Sequence, residues 1–127
     1  MIKTLGLTHI HIAVEDLERA QRFYHEVFGA TELFREEALV FINTPGSDDV
    51  ITLHGGGEHP GESGGIVHFG FRLADPTDID AAVEDVERAG GRLVRRGNHG
   101  PGAPFAVVRD PDGYEIELWY ERVHADA

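Results

Sequence analysis

Apolar and polar residues alternate along residues 7–14, a pattern that predicts a half-buried β-strand. Asp16 follows at a position suited to capping a helix, and Gly29 stands where that helix is expected to end. The apolar residues between them recur at helical spacing: Leu17, Ala20, Phe23, Tyr24, Val27 and Phe28. Three short strands are predicted next, at about 31–36, 38–43 and 49–54, with a turn at 44–48. The first half is therefore predicted to run strand, helix, strand, strand, strand.

The same plan returns after residues 55–65, a glycine-rich connector with almost nothing to bury. Residues 66–73 alternate like the first strand, and Asp75 or Thr77 is placed to begin a second helix that Gly90 and Gly91 should end. The apolar positions of this helix are Ile79, Ala82, Val83, Val86 and Ala89. Strands are predicted near 92–96, 104–109 and 114–121. This repetition predicts two similar halves, each with an apolar face that the other can cover.

Strand alternation decides which side chains can meet a ligand, because successive side chains point to opposite faces of a sheet. In the first strand of each half, and in the last strand of the chain, the apolar residues take the helix side. The polar candidates on the helix-free face are His9, His11, His68, Arg72, Glu117 and Trp119. When the halves are overlaid, His9 aligns with His68, and residues 51–53 align with residues 116–118. If the halves form one curved sheet, the helix-free faces line a single concave pocket.

Two histidines at equivalent repeat positions, His9 and His68, together with Glu117 indicate a metal site. A single strand histidine is usually solvated or hydrogen-bonded, and a single glutamate is usually a surface charge, so the weight rests on the joint pattern. Two imidazoles and one carboxylate leave coordination positions open, which favours Fe²⁺ or Mn²⁺ and accommodates Zn²⁺ or Ni²⁺. The chain has no cysteine, so nitrogen and oxygen atoms must hold any such ion.

Net charge narrows the classes of partner. Eleven basic and twenty-three acidic residues give a formal net charge of −12, which disfavours binding to nucleic acid or to an anionic membrane. The hydrophobic fraction of 41% and the charged fraction of 27% are typical of a globular domain. No apolar run approaches the length of a bilayer span, and the N-terminal residues do not resemble a signal peptide. A cytoplasmic location is the default expectation, and a small molecule is the expected partner.

Three segments, taken in order, resemble the vicinal oxygen chelate superfamily, which includes glyoxalase I, extradiol catechol dioxygenases, fosfomycin-resistance enzymes, methylmalonyl-CoA epimerases and bleomycin-resistance proteins. The segments are residues 9–24 followed by Phe28-Gly29, residues 68–73, and the run Asp110-Pro-Asp-Gly-Tyr-Glu-Ile-Glu-Leu. The resemblance covers residues 4–121. It implies an α+β fold in which two βαβββ modules, at about 4–57 and 65–122, form a cupped mixed sheet with the helices outside. It further implies a single domain over residues 1–127 and a homodimer.

The resemblance also implies roles for individual residues. His9, His68 and Glu117 occupy the superfamily's metal positions, where the ion would bind two vicinal oxygens of a substrate and act as a Lewis acid. Thr52 stands where glyoxalase I and the epimerases carry a fourth ligand, which disfavours lyase-type chemistry. His99 falls near the place of a histidine that lies just outside the metal ligands of the extradiol dioxygenases. A dioxygenase-like enzyme is therefore the favoured interpretation.

Departures from the family pattern leave alternatives open. The extradiol enzymes have a tyrosine where this chain has residues 106–108, and the fosfomycin enzymes carry a threonine where it has His11. A glyoxalase-I-type lyase and a metal-free, drug-sequestering protein of the bleomycin-resistance type are the alternatives, the latter because an acidic groove suits a cationic drug. The candidate catalytic residues are His99 and His11, and the candidate substrate-pocket residues are Thr52, Arg72 and Trp119. The other histidines are expected at the surface or in loops: His25, His54, His59 and His124.

Overall fold

The computed structural model describes residues 1–120 and divides the chain into two compact units, Met1–Gly61 (unit 1) and Glu62–Ala127 (unit 2). Unit 1 contains β1 (Ile10–Val14), α1 (Leu17–Phe28), β2 (Thr31–Glu36), β3 (Leu39–Asn43) and β4 (Ile51–Gly55). Unit 2 contains β5 (Phe69–Arg72), a 3-10 turn (Pro76–Asp78), α2 (Ile79–Arg88), β6 (Arg92–Asn98), β7 (Pro104–Arg109) and β8 (Glu115–Trp119). Each unit is thus βαβββ, as predicted. The expected end of the last strand at residue 121, the module boundary at 122 and His124 lie outside the described residues.

The two units have the same sheet topology. The strand order is β1-β4-β3-β2 in unit 1 and β5-β8-β7-β6 in unit 2. In each unit the first strand runs parallel to the last, and the other pairs are antiparallel. Ile10 lies opposite Ile51, and Phe69 lies opposite Ile116, so the parallel pairs share one register. A β-bulge interrupts the outer antiparallel pair at the same place in both units. The sequence repeat is therefore also a repeat of strand pairing.

Helix α1 begins and ends where its sequence predicts. The Asp16 carboxylate accepts a hydrogen bond from the backbone N–H of Arg19 at 3.0 Å, which satisfies one of the free donors of the first turn. Gly29 adopts a left-handed φ of 69° and donates its N–H to the His25 carbonyl at 2.9 Å. The apolar face of α1 packs on the sheet of unit 1. The buried residues of this core include Ile12, Val14, Ala20, Phe23, Tyr24, Val40, Ile42, Ile51 and Leu53.

Helix α2 follows a 3-10 turn that Asp75 caps. The Asp75 carboxylate accepts hydrogen bonds from the amide and the hydroxyl of Thr77, both at 2.8 Å, and these bonds lower the pKa of Asp75. The helix buries Ile79, Val83 and Val86 against the sheet of unit 2. The buried sheet residues of this core include Ala106, Val108, Ile116 and Leu118. Among residues 1–120 no helix is long and apolar enough to cross a membrane.

The first strand of each unit is shorter than predicted. β1 begins at residue 10 rather than 7, and β5 begins at residue 69 rather than 66, so His9 and His68 directly precede their strands. The first residue pairs of the two parallel ladders, Ile10 with Ile51 and Phe69 with Ile116, mark these starts. β4 itself begins at Ile51, two residues later than predicted, because the preceding loop is held by Asn43, whose amide donates to the carbonyl of Asp49 at 2.8 Å.

Candidate metal centre

Glu117 lies on the helix-free face of the unit 2 sheet, beside His68. Its neighbours in β8, Ile116 and Leu118, are fully buried on the helix side, so strand alternation turns Glu117 the other way. His68 Nε2 lies 3.6 Å from Glu117 Oε1, and the side chain of Glu117 is only 15% exposed. A largely shielded carboxylate thus presents one oxygen to an imidazole nitrogen.

Gly70 lets β5 approach β8 closely beside this pair. It lies opposite Glu117 in the ladder between β5 and β8, and a Cβ at this position would lie 3.1 Å from the Glu117 carbonyl oxygen. Two ligand atoms on one ion, each at a bond length of about 2.0–2.3 Å, are separated by about 3.0–3.7 Å. The spacing between His68 Nε2 and Glu117 Oε1 falls within that range, so the two side chains fit a shared divalent ion.

His99 contacts the other oxygen of the same carboxylate. His99 Nε2 is 2.9 Å from Glu117 Oε2, and because an ionised carboxylate only accepts hydrogen bonds, the imidazole nitrogen donates. The His99 ring stacks on Phe105, with centroids 4.3 Å apart and an interplanar angle of 18°, and lies 4.5 Å from the Trp119 ring. His99 directly follows β6, and its backbone N–H donates to the Ala103 carbonyl at 2.9 Å across the hairpin. Both its backbone and its ring are therefore held.

A pocket with a volume of about 250 Å³ opens on this face of unit 2. Its lining residues are His68, Phe69, Gly70, Phe71, Arg72, Glu117 and Trp119. Two of the residues predicted for a substrate pocket, Arg72 and Trp119, thus lie beside the histidine–carboxylate pair. The Trp119 indole nitrogen is buried and has no hydrogen-bond acceptor within residues 1–120. The pocket therefore combines a guanidinium, an aromatic ring and a pair of potential metal ligands.

The corresponding face of unit 1 carries a different set of side chains. His11 Nε2 lies within hydrogen-bond distance of His54 Nδ1, at 3.0 Å. Thr52, opposite His11 in the ladder between β1 and β4, is only 2% exposed. It presents little surface to a ligand, and its role in a substrate pocket stays a prediction. His9 is exposed, and its ring shares a hydrogen bond with the Thr8 hydroxyl.

The shared register of the two parallel strand pairs makes Thr52 the counterpart of Glu117, and His9 the counterpart of His68. In unit 2 both positions carry metal-ligand side chains, whereas in unit 1 only His9 does. Within the part of the chain that the structure describes, no group of three or more His, Asp or Glu side chains is arranged to hold an ion. The structure therefore brings together two of the three predicted ligands, His68 and Glu117, and the placement of His9 with them stays a prediction.

Two further residues of these faces, His54 and Phe105, were not predicted from the sequence. His54 was expected at the surface or in a loop, but it lies in β4, two residues after Thr52 and on the same face. Alternation along that strand carries the signal that would have found it. Phe105 stacks on His99. The sequence feature that could have indicated this contact is Gly97, which lies directly opposite Phe105 on β6 and leaves space for its ring.

The duplicated βαβββ architecture, with a histidine and a carboxylate on one helix-free sheet face, is the class of fold and site that the resemblance implies. The sequence pattern of the Glyoxalase/Bleomycin resistance protein/Dioxygenase superfamily matches residues 6–118. The chain therefore belongs to this superfamily. This result confirms both the resemblance read from the sequence and the α+β fold expected from it.

Curated relatives include several kinds of enzyme. The lactoylglutathione lyase of Neisseria meningitidis serogroup B is 31% identical over 126 residues, covering 90% of this chain and 89% of the relative. Glutathione transferase FosA of Serratia marcescens is 26% identical over 114 residues, covering 89% and 79%. The manganese-dependent 2,3-dihydroxybiphenyl 1,2-dioxygenase of Geobacillus genomosp. 3 is 24% identical, and its match covers 89% of this chain but only 36% of the relative. The chain also spans less than half the length of other curated relatives that it matches.

Solved structures share the fold at low sequence identity. A mutant of the fosfomycin resistance protein FosX from Listeria monocytogenes, complexed with Mn(II) and a dihydroxypropylphosphonic acid, matches with a TM-score of 0.79. The match covers 95% of this chain and 94% of that chain, at 20% identity. At this identity the likeness shows the fold alone.

Proposed function

We propose that this protein is an enzyme whose divalent metal ion is held by His9, His68 and Glu117. The observation that supports the proposal most directly is the facing pair in unit 2, with His68 Nε2 and Glu117 Oε1 3.6 Å apart. His9 holds the repeat position of His68 and supplies the third ligand from the residue just before β1. Two imidazoles and one carboxylate suit Fe²⁺ or Mn²⁺ and also accept Zn²⁺ or Ni²⁺. The manganese named for a related dioxygenase and for FosX supports a divalent ion.

The ion would supply Lewis-acid activation of a small substrate that offers two vicinal oxygens. We assign the protein to the three-ligand members of the superfamily, because a threonine, Thr52, stands at the counterpart of Glu117. The missing carboxylate also removes a group for proton transfer next to a substrate carbonyl. Extradiol-type ring cleavage is therefore the reaction that we propose first, ahead of lyase-type isomerisation, although lyases are among the relatives.

Other residues of the two helix-free faces bind and orient the substrate. Arg72 offers a guanidinium to an anionic group of the substrate. Trp119 lines the same pocket and offers its aromatic ring to the substrate. His11 is exposed and hydrogen-bonded to His54, so it can line the substrate site from unit 1 or accept a proton there. These contacts orient a substrate that carries oxygen atoms and negative charge.

A homodimer is part of the proposal, with the modules of two chains packed against each other. Apolar side chains that precede the first strand of each unit are exposed in the single chain: Leu5, Leu7, Ile66 and Val67. Exposed apolar surface of this kind is commonly covered by a second copy, and twofold dimers are the commonest assembly. A cytoplasmic location remains the default expectation.

Metal binding is the first test of this proposal. Protein stripped with EDTA is titrated calorimetrically with Mn²⁺, Zn²⁺ and, without oxygen, Fe²⁺. We expect one ion per chain, because each chain carries one copy of each ligand. Failure to bind any of these ions would contradict the proposal.

The reaction class is tested with a panel of ligands, each with and without EDTA: a catechol, a glutathione hemithioacetal and bleomycin. We expect metal-dependent oxygen uptake with the catechol. Turnover of the hemithioacetal instead would make the protein a lyase. Tight bleomycin binding that EDTA does not change, with no turnover of the other two, would make it a drug-sequestering protein.

A further inference from the structure

Glu117 has two carboxylate oxygens, and the structure gives them different partners. Oε1 faces His68 Nε2 at 3.6 Å, whereas Oε2 accepts the hydrogen of His99 Nε2 at 2.9 Å. We propose that His99 is a positioning residue that holds Oε2, so that Oε1 alone is presented to the metal and Glu117 binds through one oxygen. This inference rests on the proposed metal site.

The hydrogen bond between His99 and Glu117 matters because it restricts how the carboxylate can bind an ion. The last torsion angle of a glutamate side chain has a broad distribution, and the carboxylate can bind an ion through one oxygen or both. A donor on Oε2 fixes that torsion and occupies the second oxygen. Partners that orient metal ligands in this way typically change metal affinity by about 10–100-fold when they are removed. His99 is therefore expected to act on the metal through Glu117.

His99 needs support, because its own side chain is 39% exposed. Phe105 provides it: the two rings stack at 4.3 Å with an interplanar angle of 18°. The Trp119 ring lies 4.5 Å from His99 at 57° and adds a second aromatic contact. These two contacts stabilise the orientation of His99 in which Nε2 points at Glu117.

Gly97 makes the stacking of Phe105 on His99 possible. It lies opposite Phe105 in the ladder between β6 and β7, and a Cβ at residue 97 would lie 2.7 Å from two carbon atoms of the Phe105 ring. Side chains do not approach so closely, so any residue larger than glycine pushes the ring away. The Phe105 ring therefore covers bare backbone and remains flat against His99. The geometry predicts that Gly97 allows Phe105 to stack on His99, and that this stacking keeps His99 hydrogen-bonded to Glu117.

The positioning role differs from that of a metal ligand. To bind the ion, His99 Nε2 would need a free lone pair, but this nitrogen donates its hydrogen to Glu117. Consistent with this, the described residues contain no group of three such side chains arranged around one point. Removal of His99 should therefore weaken metal binding without removing an imidazole from the ion.

The test measures Co²⁺ affinity by calorimetry and the number of imidazole ligands by X-ray absorption, in the full chain. His99→Phe keeps an aromatic ring but lacks the donor, and we expect Co²⁺ affinity to fall by about 10–100-fold with the imidazole count unchanged. His99→Gln returns a donor and should recover part of the loss. Gly97→Ala should shift affinity in the same direction as His99→Phe, although it alters neither His99 nor Glu117. His25→Gln, in α1, is the control and should bind like the parent.

Each contrary result has a distinct meaning. Equal affinity in the parent and in His99→Phe overturns the positioning role and leaves the proposed metal site intact. A lower imidazole count in His99→Phe overturns it in favour of His99 as a ligand. If His99→Gln fails to recover Co²⁺ affinity while the metal-free variants unfold at a lower temperature than the parent, His99 contributes to folding only. That result also overturns the positioning role. A parent protein that binds no Co²⁺ contradicts the proposed function itself.

Discussion

Glu117 contacts both histidines of the unit 2 face because strand alternation directs its side chain to the helix-free side. Ile116 and Leu118 anchor β8 in the core, and the side chain between them must project to the helix-free face. There one oxygen faces His68 and the other accepts a hydrogen bond from His99. A single residue thus links the proposed ligand set to the residues that orient it.

In the proposed site, metal binding depends on the charge of Glu117. Glu117→Gln keeps the size of the side chain and removes the charge, so we expect the Kd for Mn²⁺ to rise by about 100-fold or more, with turnover lost. The fold should persist, because Ile116 and Leu118 keep their places in the core. Calorimetry and thermal unfolding measure the two effects.

Glu115→Gln is the matched control, since Glu115 lies in the same strand and on the same face. Its carboxylate pairs with Arg109 at 3.3 Å and Arg95 at 3.7 Å, away from the proposed ligands. This variant should bind Mn²⁺ like the parent. Equal Mn²⁺ affinity in the two glutamine variants would remove Glu117 from the site.

Alternation predicted the face of Glu117 from the sequence, but it did not predict the contact with His99. The period-two pattern applies within strands, and His99 lies beyond the end of β6, in a hairpin where side-chain direction depends on the turn. The stacking of His99 on Phe105 was equally hidden, because cross-strand pairs require the register, which a β-bulge shifts within β6.

At the scale of elements, α1 was predictable to the residue because its end signals are local, whereas α2 begins at Ile79, later than predicted, because Asp75 caps a 3-10 turn instead. Asp16 and Gly29 mark the ends of α1 through side-chain capping and a left-handed φ, both of which depend on residue type alone. Both first strands were predicted to begin three residues too early, because strand ends depend on pairing with a distant partner strand. Local chemistry fixes helix ends, whereas pairing fixes strand ends.

Capping of α1 gives a prediction for stability. Asp16→Ala removes the acceptor for the Arg19 N–H, so we expect a loss of about 0.5–2 kcal/mol in the free energy of unfolding. Asp16→Asn retains an acceptor and should lose little. Denaturant unfolding of the three proteins measures the difference. An alanine variant as stable as the parent would show that the cap contributes nothing.

At the scale of the whole molecule, the duplicated plan was predictable because hydrophobic periodicity reports burial inside each unit. The joining of His9 to the unit 2 pair has no such periodic signal. It depends on which surfaces pack together. The repeat gives each unit an equivalent helix-free face, but it does not predict what that face contacts. The ligand set is therefore a prediction from repeat position, supported by His68 and Glu117 in one unit.

Light scattering tests the proposed dimer. We expect a homodimer at micromolar concentration, because a second copy then covers the exposed apolar side chains that precede β1 and β5. A monomer at that concentration would contradict the proposed assembly.

The central claim is that His9, His68 and Glu117 share one divalent ion, and a crystal structure of the Mn²⁺-loaded protein tests it most directly. Anomalous scattering locates the ion without assumptions about its ligands. We predict one site per chain, with the ion about 2.0–2.3 Å from an imidazole nitrogen of each histidine and from an oxygen of Glu117. An ion bound elsewhere, or three side chains that point apart in the loaded crystal, would contradict the account.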